Sequence, residues 1–509
     1  MNITFRADAS VEIGSGHVIR CLTLADCLKK FGHNIQFVTR MHTGNYSDYI
    51  EKRGYKVHRL TLGGKNRQTK KHRWLGVNWR LDAEDTAQIF KETGKIDWLI
   101  VDHYGIDFKW ENAVRHLVSK IMVIDDLANR SHDCDLLLDQ TINRRESEYK
   151  ELVRKDTCLI LGNKYALLKK DYKKLRQDAI KKRRQYKKIE RVLICFGGHD
   201  PDNFTARALN GLEMVEWPHD IKIDIILGGN APHIDAVKRN AQKSFLKIKV
   251  YSDVENMAEF ILQADLAIGA GGTTSWERCC LGLPTLIVAT ASNQEKIVKS
   301  LSEIGAALEI KGDISTFHES VSVNVKQLLN NREQCMKISQ KAFSVCDGKG
   351  TGKVAEKIIE YSKLDLRLAE KTDCLRIYDW QSQPGNRKYF RNPKVPTIEE
   401  HEKWFEKTLL SEFRELFIIE KAGMPIGFLR LDNLDEGKKT YEISILISKE
   451  YQGKGFASDA LRMLRINLPT AIFRAEVLRD NLISKRLFES ADFKKIDDSW
   501  FINNPEKNG

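Results

Sequence analysis

The fold of the first half of this chain is indicated by Phe5–Leu22, which has the sequence FRADASVEIGSGHVIRCL. An apolar run ends at polar residues, a loop with two glycines follows, and an amphipathic stretch begins directly after that loop. This order is typical of a β-strand that passes through a turn into an α-helix, the first step of a parallel βαβ unit. The glycines let a ligand approach the backbone, and the helix N-terminus offers free N–H groups.

The same alternation continues along the chain in two series. Strands of the first series are predicted at Ile3–Phe5, Ile35–Thr39, Trp98–Asp102, Ile121–Asp125 and Leu136–Asp139, and those of the second at Val192–Phe196, Ile221–Leu227, Ile248–Tyr251, Leu266–Gly269 and Thr285–Val288. Helical patterns lie between them, and a helix at Gly352–Tyr361 is expected to close the second series. Two doubly wound sheets predict a ligand cleft at the carboxyl ends of their strands.

The pattern changes around Leu364–Thr372, and the remainder is predicted to be a separate α+β domain. Its strands are expected at Cys374–Tyr378, Leu416–Glu420, Pro425–Leu431, Thr440–Ile447 and Phe473–Val477, and its helices at Ile398–Leu410, Ala457–Asn467 and Leu482–Ala491. The fold class is therefore α/β with an added α+β domain. The expected boundaries are 1–168 for the first Rossmann-like domain, 169–190 for a basic linker or helix, 191–363 for the second Rossmann-like domain, and 373–505 for the third.

Length and composition fit an ordinary globular protein of several domains. The chain has 509 residues, of which 42% are hydrophobic and 30% charged. It contains no apolar run of the roughly 18–20 residues that cross a bilayer, and its start lacks the basic and apolar regions of an export signal. We therefore expect a cytoplasmic protein without membrane partners. The ten cysteines show no metal-ligand spacing, so free thiols and no metal are expected.

The net charge of +13 is concentrated in the Lys/Arg-rich stretch Lys169–Arg191. Apart from Tyr172 and Tyr186 this stretch lacks aromatic residues on which bases would stack, so nucleic-acid binding is not expected. Two interpretations stay open, a solvated helix or linker between domains and an anion-attracting surface.

Two polar residues lie close to the carboxyl ends of predicted strands in the first series, one of them in the helix that follows its strand. His17 lies in the first turn of the predicted helix, where a positive helix end disfavours imidazolium, so a mostly neutral ring that polarises water is one interpretation. The other is a histidine that only packs or caps. Asp102 ends the strand before His103-Tyr104-Gly105, and it either contacts a ligand or caps the next turn.

Glycine loops follow strands of the second series at Phe196–Asn203 and Ile268–Glu277. Gly271–Thr274 offer successive amides and hydroxyls at a helix start, which suits a diphosphate. They do not form a Walker loop, because no Lys-Ser/Thr pair follows. Gly348–Lys353 resembles one superficially, but Val354 takes the Ser/Thr position and no strand precedes it, so a turn before a helix is expected.

Together these segments resemble one family. Arg6-x-Asp8, Gly14-x-Gly16-His17-x-x-Arg20, Asp102–Gly105, Gly197-Gly198 and Gly271–Thr274 with Glu277 occur in the order found in UDP-2,4-diacetamido-2,4,6-trideoxy-β-L-altropyranose hydrolases of pseudaminic acid biosynthesis. The resemblance covers about residues 1–360. It implies two Rossmann-like domains in the GT-B arrangement and hydrolysis at the anomeric carbon, which releases UDP and the free sugar.

The resemblance also implies roles for single residues. His17 would activate the attacking water, Tyr104 would line the active site and Asp8 would help to orient groups. The remaining residues expected to bind substrate or UDP are Arg6, Gly14, Gly16, Asp102, Gly197, Gly198, Gly271, Gly272, Thr273, Thr274, Glu277, Asn293 and Gln294. No metal is needed in this scheme, since UDP is a good leaving group and positioning supplies much of the acceleration.

The third domain carries a different motif. The strand Ile443–Ile447 leads into Tyr451-Gln452-Gly453-Lys454-Gly455-Phe456-Ala457 and a helix, and small residues at a helix start suit a pyrophosphate. Downstream lie Ala475–Val477 and a segment from Asp480 to Phe493. In this order the segments resemble GNAT-family N-acetyltransferases over about residues 373–503, and the beginning of the domain resembles amino-sugar acetyltransferases.

This second resemblance implies that acetyl-CoA is the co-substrate and that its pantetheine lies between two splayed strands. The residues expected to bind it are Ile445, Ile447, Gln452, Gly453, Lys454, Gly455, Phe456, Ala457 and Asn481. Glu442 is a candidate base for an ammonium group or, alternatively, an exposed strand residue. Phe488 stands where many family members have a tyrosine that protonates the leaving thiolate, so another group or water must serve as the acid here. Trp404 and Phe405 either stack on a ligand or belong to the core.

Three functional hypotheses follow. The first is a fusion in which N4-acetylation of a UDP-4-amino sugar precedes UDP-releasing hydrolysis, so that the partners are a UDP-linked amino sugar and acetyl-CoA. The second makes the first half a GT-B glycosyltransferase that uses a UDP-sugar. In the third, the GNAT domain acts on a different amine or only binds nucleotide sugar.

Overall fold

A computed structural model of the chain describes residues 1–62, 74–155, 157–229, 231–362, 364–421, 423–435 and 439–504. By the density of internal contacts the chain divides into two units, Met1–Ala355 and Glu356–Gly509. Long apolar runs such as Ile96–Asp102 are buried along nearly their whole length, as expected for parallel strands covered by helices on both faces.

The first Rossmann-like domain is a seven-stranded sheet in the order β3-β2-β1-β4-β5-β6-β7, with every pair parallel. Its strands are β1 (Asn2–Ala7), β2 (Asn34–Arg40), β3 (Lys56–Leu60), β4 (Ile96–Asp102), β5 (Val118–Ile124), β6 (Leu136–Asp139) and β7 (Cys158–Leu161). Its helices are α1 (Gly16–Lys30), α2 (Ser47–Lys52), α3 (Trp79–Thr93) and α4 (Phe108–Val114). The strand order reverses between β1 and β4, and in such sheets ligands bind at the carboxyl ends beside this reversal.

The second Rossmann-like domain repeats this design with a six-stranded parallel sheet in the order β10-β9-β8-β11-β12-β13. Its strands are β8 (Arg191–Cys195), β9 (Lys222–Leu227), β10 (Lys247–Ser252), β11 (Leu266–Ala270), β12 (Thr285–Val288) and β13 (Leu308–Glu309). The helices are α5 (Lys170–Arg184), α6 (Phe204–Glu213), α7 (Ile234–Lys243), α8 (Met257–Gln263), α9 (Thr274–Cys280), α10 (Glu295–Ile304), α11 (Phe317–Leu329), α12 (Arg332–Val345) and α13 (Gly350–Ser362).

Helix α5 lies within the stretch predicted as a basic linker or solvated helix, and it is not a linker. Tyr172, Ala179 and Arg183 on this helix are buried. Its charges are used internally, because Arg176 donates to the carbonyls of Phe343, Cys280 and Cys346. Despite its high density of Lys and Arg, this stretch therefore forms an amphipathic helix that packs on neighbouring elements.

The C-terminal unit contains a seven-stranded mixed sheet in the order β14-β15-β16-β17-β18-β20-β19. The strands are β14 (Leu364–Leu368), β15 (Arg414–Lys421), β16 (Met424–Asp435), β17 (Thr440–Ile447), β18 (Ile472–Glu476), β19 (Lys494–Lys495) and β20 (Trp500–Asn503). The helices are α14 (Cys374–Ser382), α15 (Pro384–Arg387), α16 (Ile398–Leu409), α17 (Phe456–Asn467) and α18 (Leu482–Ser490). All strand pairs are antiparallel except β17 with β18.

Two expectations for this unit are wrong. Cys374–Tyr378, predicted as a strand, is the start of helix α14. Ile377 and Gln381 are buried at helical spacing, whereas Leu375, which would share the face of Ile377 in a strand, is exposed. The sheet also begins before the predicted boundary at 373. Strand β14 pairs with β15 from Leu364↔Lys421 to Leu368↔Phe417, so the segment in which the pattern changes is the first strand of this sheet.

Candidate functional site

The first cleft is built around the strand reversal of the first Rossmann-like domain. Ala7 at the end of β1 pairs with Asp102 at the end of β4, and α1 begins at Gly16 after the loop that follows β1. His17 in the first turn of α1 is only 7% exposed. The fold therefore brings together His17 and Asp102, which lie 85 residues apart in sequence.

A buried carboxylate fixes the ring of His17. Its Nδ1 lies 2.5 Å from Asp102 Oδ1, and Arg20 donates to both oxygens of the same carboxylate, from Nε at 2.5 Å and from Nη2 at 2.6 Å. Despite complete burial, the Arg20 guanidinium and the hydrogen bonds from Arg20 and His17 hold the pKa of Asp102 well below its usual range. The ionised Asp102 thus accepts the Nδ1–H, and Nε2 of His17, which hydrogen-bonds no described residue, is the nitrogen left to react.

A second carboxylate extends this arrangement toward Tyr104. Asp126, which follows β5, accepts from Arg20 Nη1 at 3.0 Å and from the Tyr104 hydroxyl at 2.7 Å. The ring of Tyr104 meets that of His17 edge-on at 4.5 Å and that of Trp74 at 5.3 Å. Burial and the adjacent Asp126 raise the pKa of Tyr104, so its hydroxyl keeps its proton.

Arg6 and Asp8 lie behind this site. Both are completely buried, and Arg6 donates to Asp8 at 2.5 Å and to Asp82 at 2.8 Å. Asp8 also accepts the backbone amide of Arg40 at 2.7 Å, and Nε2 of His103 lies 3.2 Å from its second oxygen. The structure therefore places these two predicted site residues in an internal ionic network that holds the end of β1.

The glycine loops of the two Rossmann-like domains face each other. Gly14 and Gly197 have φ values of +78° and +96°, which glycine adopts without strain. A Cβ built on Gly198 would have the hydroxyl of Ser15 as its nearest neighbour, at 3.9 Å, while one on Gly16 would meet open space. These four predicted glycines therefore line the two sides of one cleft.

The predicted diphosphate cradle lies at the end of β11. Gly271 is packed tightly, since a Cβ on it would lie 2.3 Å from Val298. The amides of Gly272 and Thr273 donate to no group among the described residues, and Thr274 begins α9. These amides are available to an anion. Burial raises the pKa of Glu277, which also accepts a hydrogen bond from Tyr172.

Asn293 and Gln294 connect this cradle to the first domain. Asn293 Nδ2 donates to the Tyr104 hydroxyl at 3.2 Å. Gln294 Oε1 accepts from the amide of Thr290 at 3.0 Å, and the Gln294 Nε2 atom lies 3.8 Å from a Cβ built on Gly272. One short turn therefore contacts both the glycine loop and the residues around His17.

In the C-terminal unit the second candidate site is a gap between two strands. Strands β17 and β18 pair in parallel only from Thr440↔Ile472 to Glu442↔Arg474. Beyond this point Ile445 and Ile447 continue along β17 without a partner on β18. The unpaired ends present backbone groups to a ligand in the gap.

A glycine turn leads from this gap into α17. Gly453 and Gly455 have φ values of +73° and +83°. Gln452 ties the turn to the strand by donating to the Ile447 carbonyl at 2.8 Å. Lys454 extends over the Tyr451 ring at 5.5 Å, and Phe456 with Ala457 begins the helix, so the turn points its first amides outward from a helix N-terminus.

The remaining predicted residues of this unit lie in different surroundings. Asn481 caps α18, accepting from the amide of Ser484 at 3.1 Å. Glu442 ends the paired part of β17 and accepts from Arg391 at 2.7 Å, and Arg391 also binds Glu476. Phe488 is 4% exposed and packs on Phe493 and Phe501. Phe488 therefore belongs to a hydrophobic core cluster. Phe405 belongs to another such cluster, and Trp404 is partly buried against that second cluster.

Two residues of the first site were not among the predicted site residues: Arg20, which the sequence motif contained without an assigned role, and Asp126, which it did not contain. Arg20 follows His17 by three positions, which places both on one face of a helix. Asp126 directly follows a predicted strand that neighbours β4, and that position was the available signal. Among the described residues no group of His, Cys, Asp and Glu has a metal-binding arrangement. No helix in the described part of the chain is long and apolar enough to cross a membrane.

Comparison with known proteins agrees with this architecture. Residues 192–354 match the glycosyltransferase family 28 C-terminal domain, and residues 363–494 match the acetyltransferase (GNAT) domain. The chain is similar to an uncharacterized protein of Methanocaldococcus jannaschii, with 27% identity over 97% of both chains. It is also similar to the UDP-2,4-diacetamido-2,4,6-trideoxy-β-L-altropyranose hydrolase of Campylobacter jejuni, with 26% identity over 61% of this chain and 100% of that protein.

The structure of MurG from Acinetobacter baumannii is similar in fold, with a TM-score of 0.51 and 18% identity over 70% of this chain and 99% of that one. The chain is thus a fusion of a GT-B-like unit, homologous to the nucleotide-sugar hydrolase, with a GNAT acetyltransferase domain. The expected fold class is confirmed.

Proposed function

We propose that the protein catalyses two consecutive reactions on one nucleotide sugar. The GNAT domain transfers an acetyl group from acetyl-CoA to the 4-amino group of a UDP-linked amino sugar. The GT-B-like unit then hydrolyses the resulting UDP-2,4-diacetamido-2,4,6-trideoxy-β-L-altropyranose to UDP and the free sugar, as a step of pseudaminic acid biosynthesis.

The observation that carries this proposal is the position of the His17–Asp102 pair. It lies at the strand reversal of the first Rossmann-like domain, opposite the glycine loops of the second. Asp102 holds the Nδ1–H and leaves Nε2 free to accept a proton. As the water oxygen bonds to the anomeric carbon, Nε2 takes the proton of that water. The bond from this carbon to the phosphate oxygen breaks, and its electron pair leaves with UDP.

The departing diphosphate needs donors placed before the reaction begins. The amides of Gly272, Thr273 and Thr274 at the start of α9 meet this need. Such donors stabilise charge that grows on the leaving group without any rearrangement. This division places water activation on the first domain and leaving-group stabilisation on the second.

For acetyl transfer, the support is the gap between β17 and β18 together with the GNAT domain match. Acetyl-CoA would bind along the unpaired part of β17, with its pyrophosphate at the Gly453–Ala457 turn. Glu442 would take a proton from the sugar ammonium, and the neutral amine would attack the thioester carbonyl. Phe488 has no acidic proton and lies in the core, so the departing thiolate would be protonated by water.

The proposal is tested by incubating the full chain with UDP-4-amino-4,6-dideoxy-β-L-AltNAc, with and without acetyl-CoA, and identifying products by mass spectrometry. We expect acetyl-dependent formation of the diacetamido sugar and one UDP for each sugar released. A panel of UDP-4-amino sugars of other stereochemistry serves as the control. Absence of both acetylated sugar and UDP with every member of this panel would refute the proposal.

A glycosyltransferase is the second candidate, favoured by the match of residues 192–354 to the glycosyltransferase family 28 C-terminal domain. The two reactions differ in the molecule that attacks the anomeric carbon. UDP release in water alone, at a rate that added acceptor sugars do not raise, identifies the hydrolase. UDP release that depends on an acceptor identifies the transferase.

A further inference from the structure

Asp126 occupies a position that neither the motifs nor the comparisons single out. It lies two residues after the end of β5, beside the carboxyl end of β4, and its side chain is 17% exposed, whereas Asp102 is completely buried. Its two oxygens are divided between two partners, Arg20 at 3.0 Å and the Tyr104 hydroxyl at 2.7 Å. Each of these partners touches His17 or the carboxylate that holds it.

The contacts form a closed ring of side chains that includes the reacting histidine. His17 binds Asp102, Asp102 binds Arg20, Arg20 binds Asp126 and Asp126 binds Tyr104. The Tyr104 ring then meets the His17 ring edge-on. Removing the Asp126 carboxylate would break this ring of contacts between Arg20 and Tyr104.

Tyr104 is also the residue of this ring that contacts the second Rossmann-like domain. Its hydroxyl donates its single proton to Asp126 and accepts from Asn293 Nδ2 at 3.2 Å. With Asp126 as the fixed acceptor, the lone pairs of the hydroxyl are aimed at the turn that carries Asn293 and packs against Gly272. Without that acceptor the hydroxyl is free to rotate.

The geometry points to Asp126 as a positioning residue for the hydrolytic site. It aligns Arg20 and Tyr104. Through these two residues it holds the His17 ring in a fixed position relative to the nucleotide-binding loops of the second domain. This inference rests on the proposed hydrolysis. It assigns Asp126 no direct contact with substrate and no transfer of a proton.

The test measures UDP release and UDP binding in Asp126→Ala and Asp126→Asn, with Glu84→Gln, an exposed carboxylate of the same domain, as the matched control. Since a small misplacement of catalytic groups costs up to about 100-fold in rate, we expect Asp126→Ala to lower kcat by about 10- to 100-fold. The dissociation constant of UDP, measured by calorimetry, should change by less than about 2-fold. Asp126→Asn keeps an acceptor oxygen for Tyr104 and should recover most of the lost kcat.

A double-mutant cycle with Tyr104→Phe separates positioning from a general loss of structure, since residues acting through one contact are not additive. We expect Asp126→Ala to lower kcat by a smaller factor in the Tyr104→Phe background than in the unaltered protein, because only the contact with Arg20 is then left to lose. Full additivity, an unchanged kcat in Asp126→Ala, or an effect confined to UDP affinity would overturn the inference. If the unaltered protein releases no UDP from any UDP-sugar, the proposed hydrolysis itself fails, which is a distinct result.

Discussion

At the scale of single residues, the buried carboxylates decide which side chains can react. Asp102 is ionised because Arg20 and His17 surround it, and it therefore fixes the tautomer of His17. Asp8, also completely buried, is held by Arg6 and by the amide of Arg40, and burial beside it lowers the pKa of His103. His103 Nδ1 accepts the Gly105 amide at 3.0 Å, so it is a neutral ring in a structural role.

This neutral histidine predicts a pH dependence of stability. The pKa of His103 is lowered by burial, so below the ordinary value of about 6.5 the unfolded chain binds a proton that the folded chain does not. The free energy of unfolding therefore falls as the pH drops through 6.5. His103→Gln, which keeps a donor and an acceptor, should lose about 1 kcal/mol less than the unaltered protein between pH 6.5 and 5.5.

Calorimetric unfolding at several pH values checks this prediction. His116→Gln, at an exposed position of the same domain, is the matched control and should leave the slope unchanged. The contribution of Asp8, whose pKa is lowered by Arg6 and its other partners, is lost only below about pH 4. Identical slopes for His103→Gln and the unaltered protein would contradict the prediction, because they would mean that His103 binds its proton equally in the folded and the unfolded chain.

At the scale of elements, α5 shows how a charged sequence can form a buried contact. Arg183 donates to the carbonyls of Ala264 at 2.6 Å and Ile261 at 2.8 Å, at the end of α8. Arg176 does the same for the carbonyls of Cys280, the last residue of α9, and of Cys346, which follows α12. Helix C-termini carry unpaired carbonyls and a partial negative charge, which cations satisfy. The basic helix thus caps three others.

Substitution on α5 tests this role. Arg183→Ala removes the side-chain donor to the Ile261 carbonyl and one of two donors to the Ala264 carbonyl, which keeps Lys182 Nζ at 3.2 Å. Because these groups are in a buried place, we expect a loss of about 2–4 kcal/mol in the free energy of unfolding. Lys181→Ala is the matched control on the same helix, since the Lys181 side chain is 78% exposed, and should change stability by less than about 0.5 kcal/mol. Denaturant unfolding followed by circular dichroism measures both. Equal losses would mean that α5 is only a solvated helix.

The turn before α17 makes a second prediction at this scale. Gly455 and Gly423 both have positive φ, and a Cβ on either would meet open space. Alanine at both positions therefore costs a similar backbone strain, about 1–2 kcal/mol. Only Gly455→Ala would shift the amides proposed to hold the pyrophosphate of acetyl-CoA, so we expect its affinity for CoA to fall at least about 10-fold. Calorimetric titration with CoA measures the affinity of both variants. Equal affinities in Gly455→Ala and Gly423→Ala would mean that the pyrophosphate does not bind at this turn.

At the scale of the whole molecule, the chain joins two units with separate cores, the first built on two sheets and the second on one. The similarity to the Methanocaldococcus jannaschii protein covers 97% of this chain and therefore spans both units. Each candidate site is built from residues of a single unit. This organisation predicts that the two proposed reactions can be removed one at a time.

His17→Asn tests this independence. Because asparagine cannot accept the proton of the attacking water, UDP release should fall by about 100- to 10,000-fold, the usual contribution of a general base. The rate of acetyl transfer, followed by thiol release from acetyl-CoA, should be unaltered. Loss of both activities in a variant that still folds would mean that the sites depend on each other.

Hydrophobic alternation and glycine-containing turns were enough to predict two sheets of parallel strands and a separate α+β domain, because local propensity and burial agree there. The GT-B arrangement and the acetyltransferase fold were implied by the resemblance of the motifs to known families. Local pattern failed for Cys374–Tyr378, where a short apolar alternation fits a strand and a helix equally well. It could not separate Asp8, which is sealed in the interior, from His17, which faces the cleft, since both follow one strand. The contacts of Asp126 and Arg20 with the groups around His17 depend on residues up to about a hundred positions apart, and only the packing of the sheet brings these together.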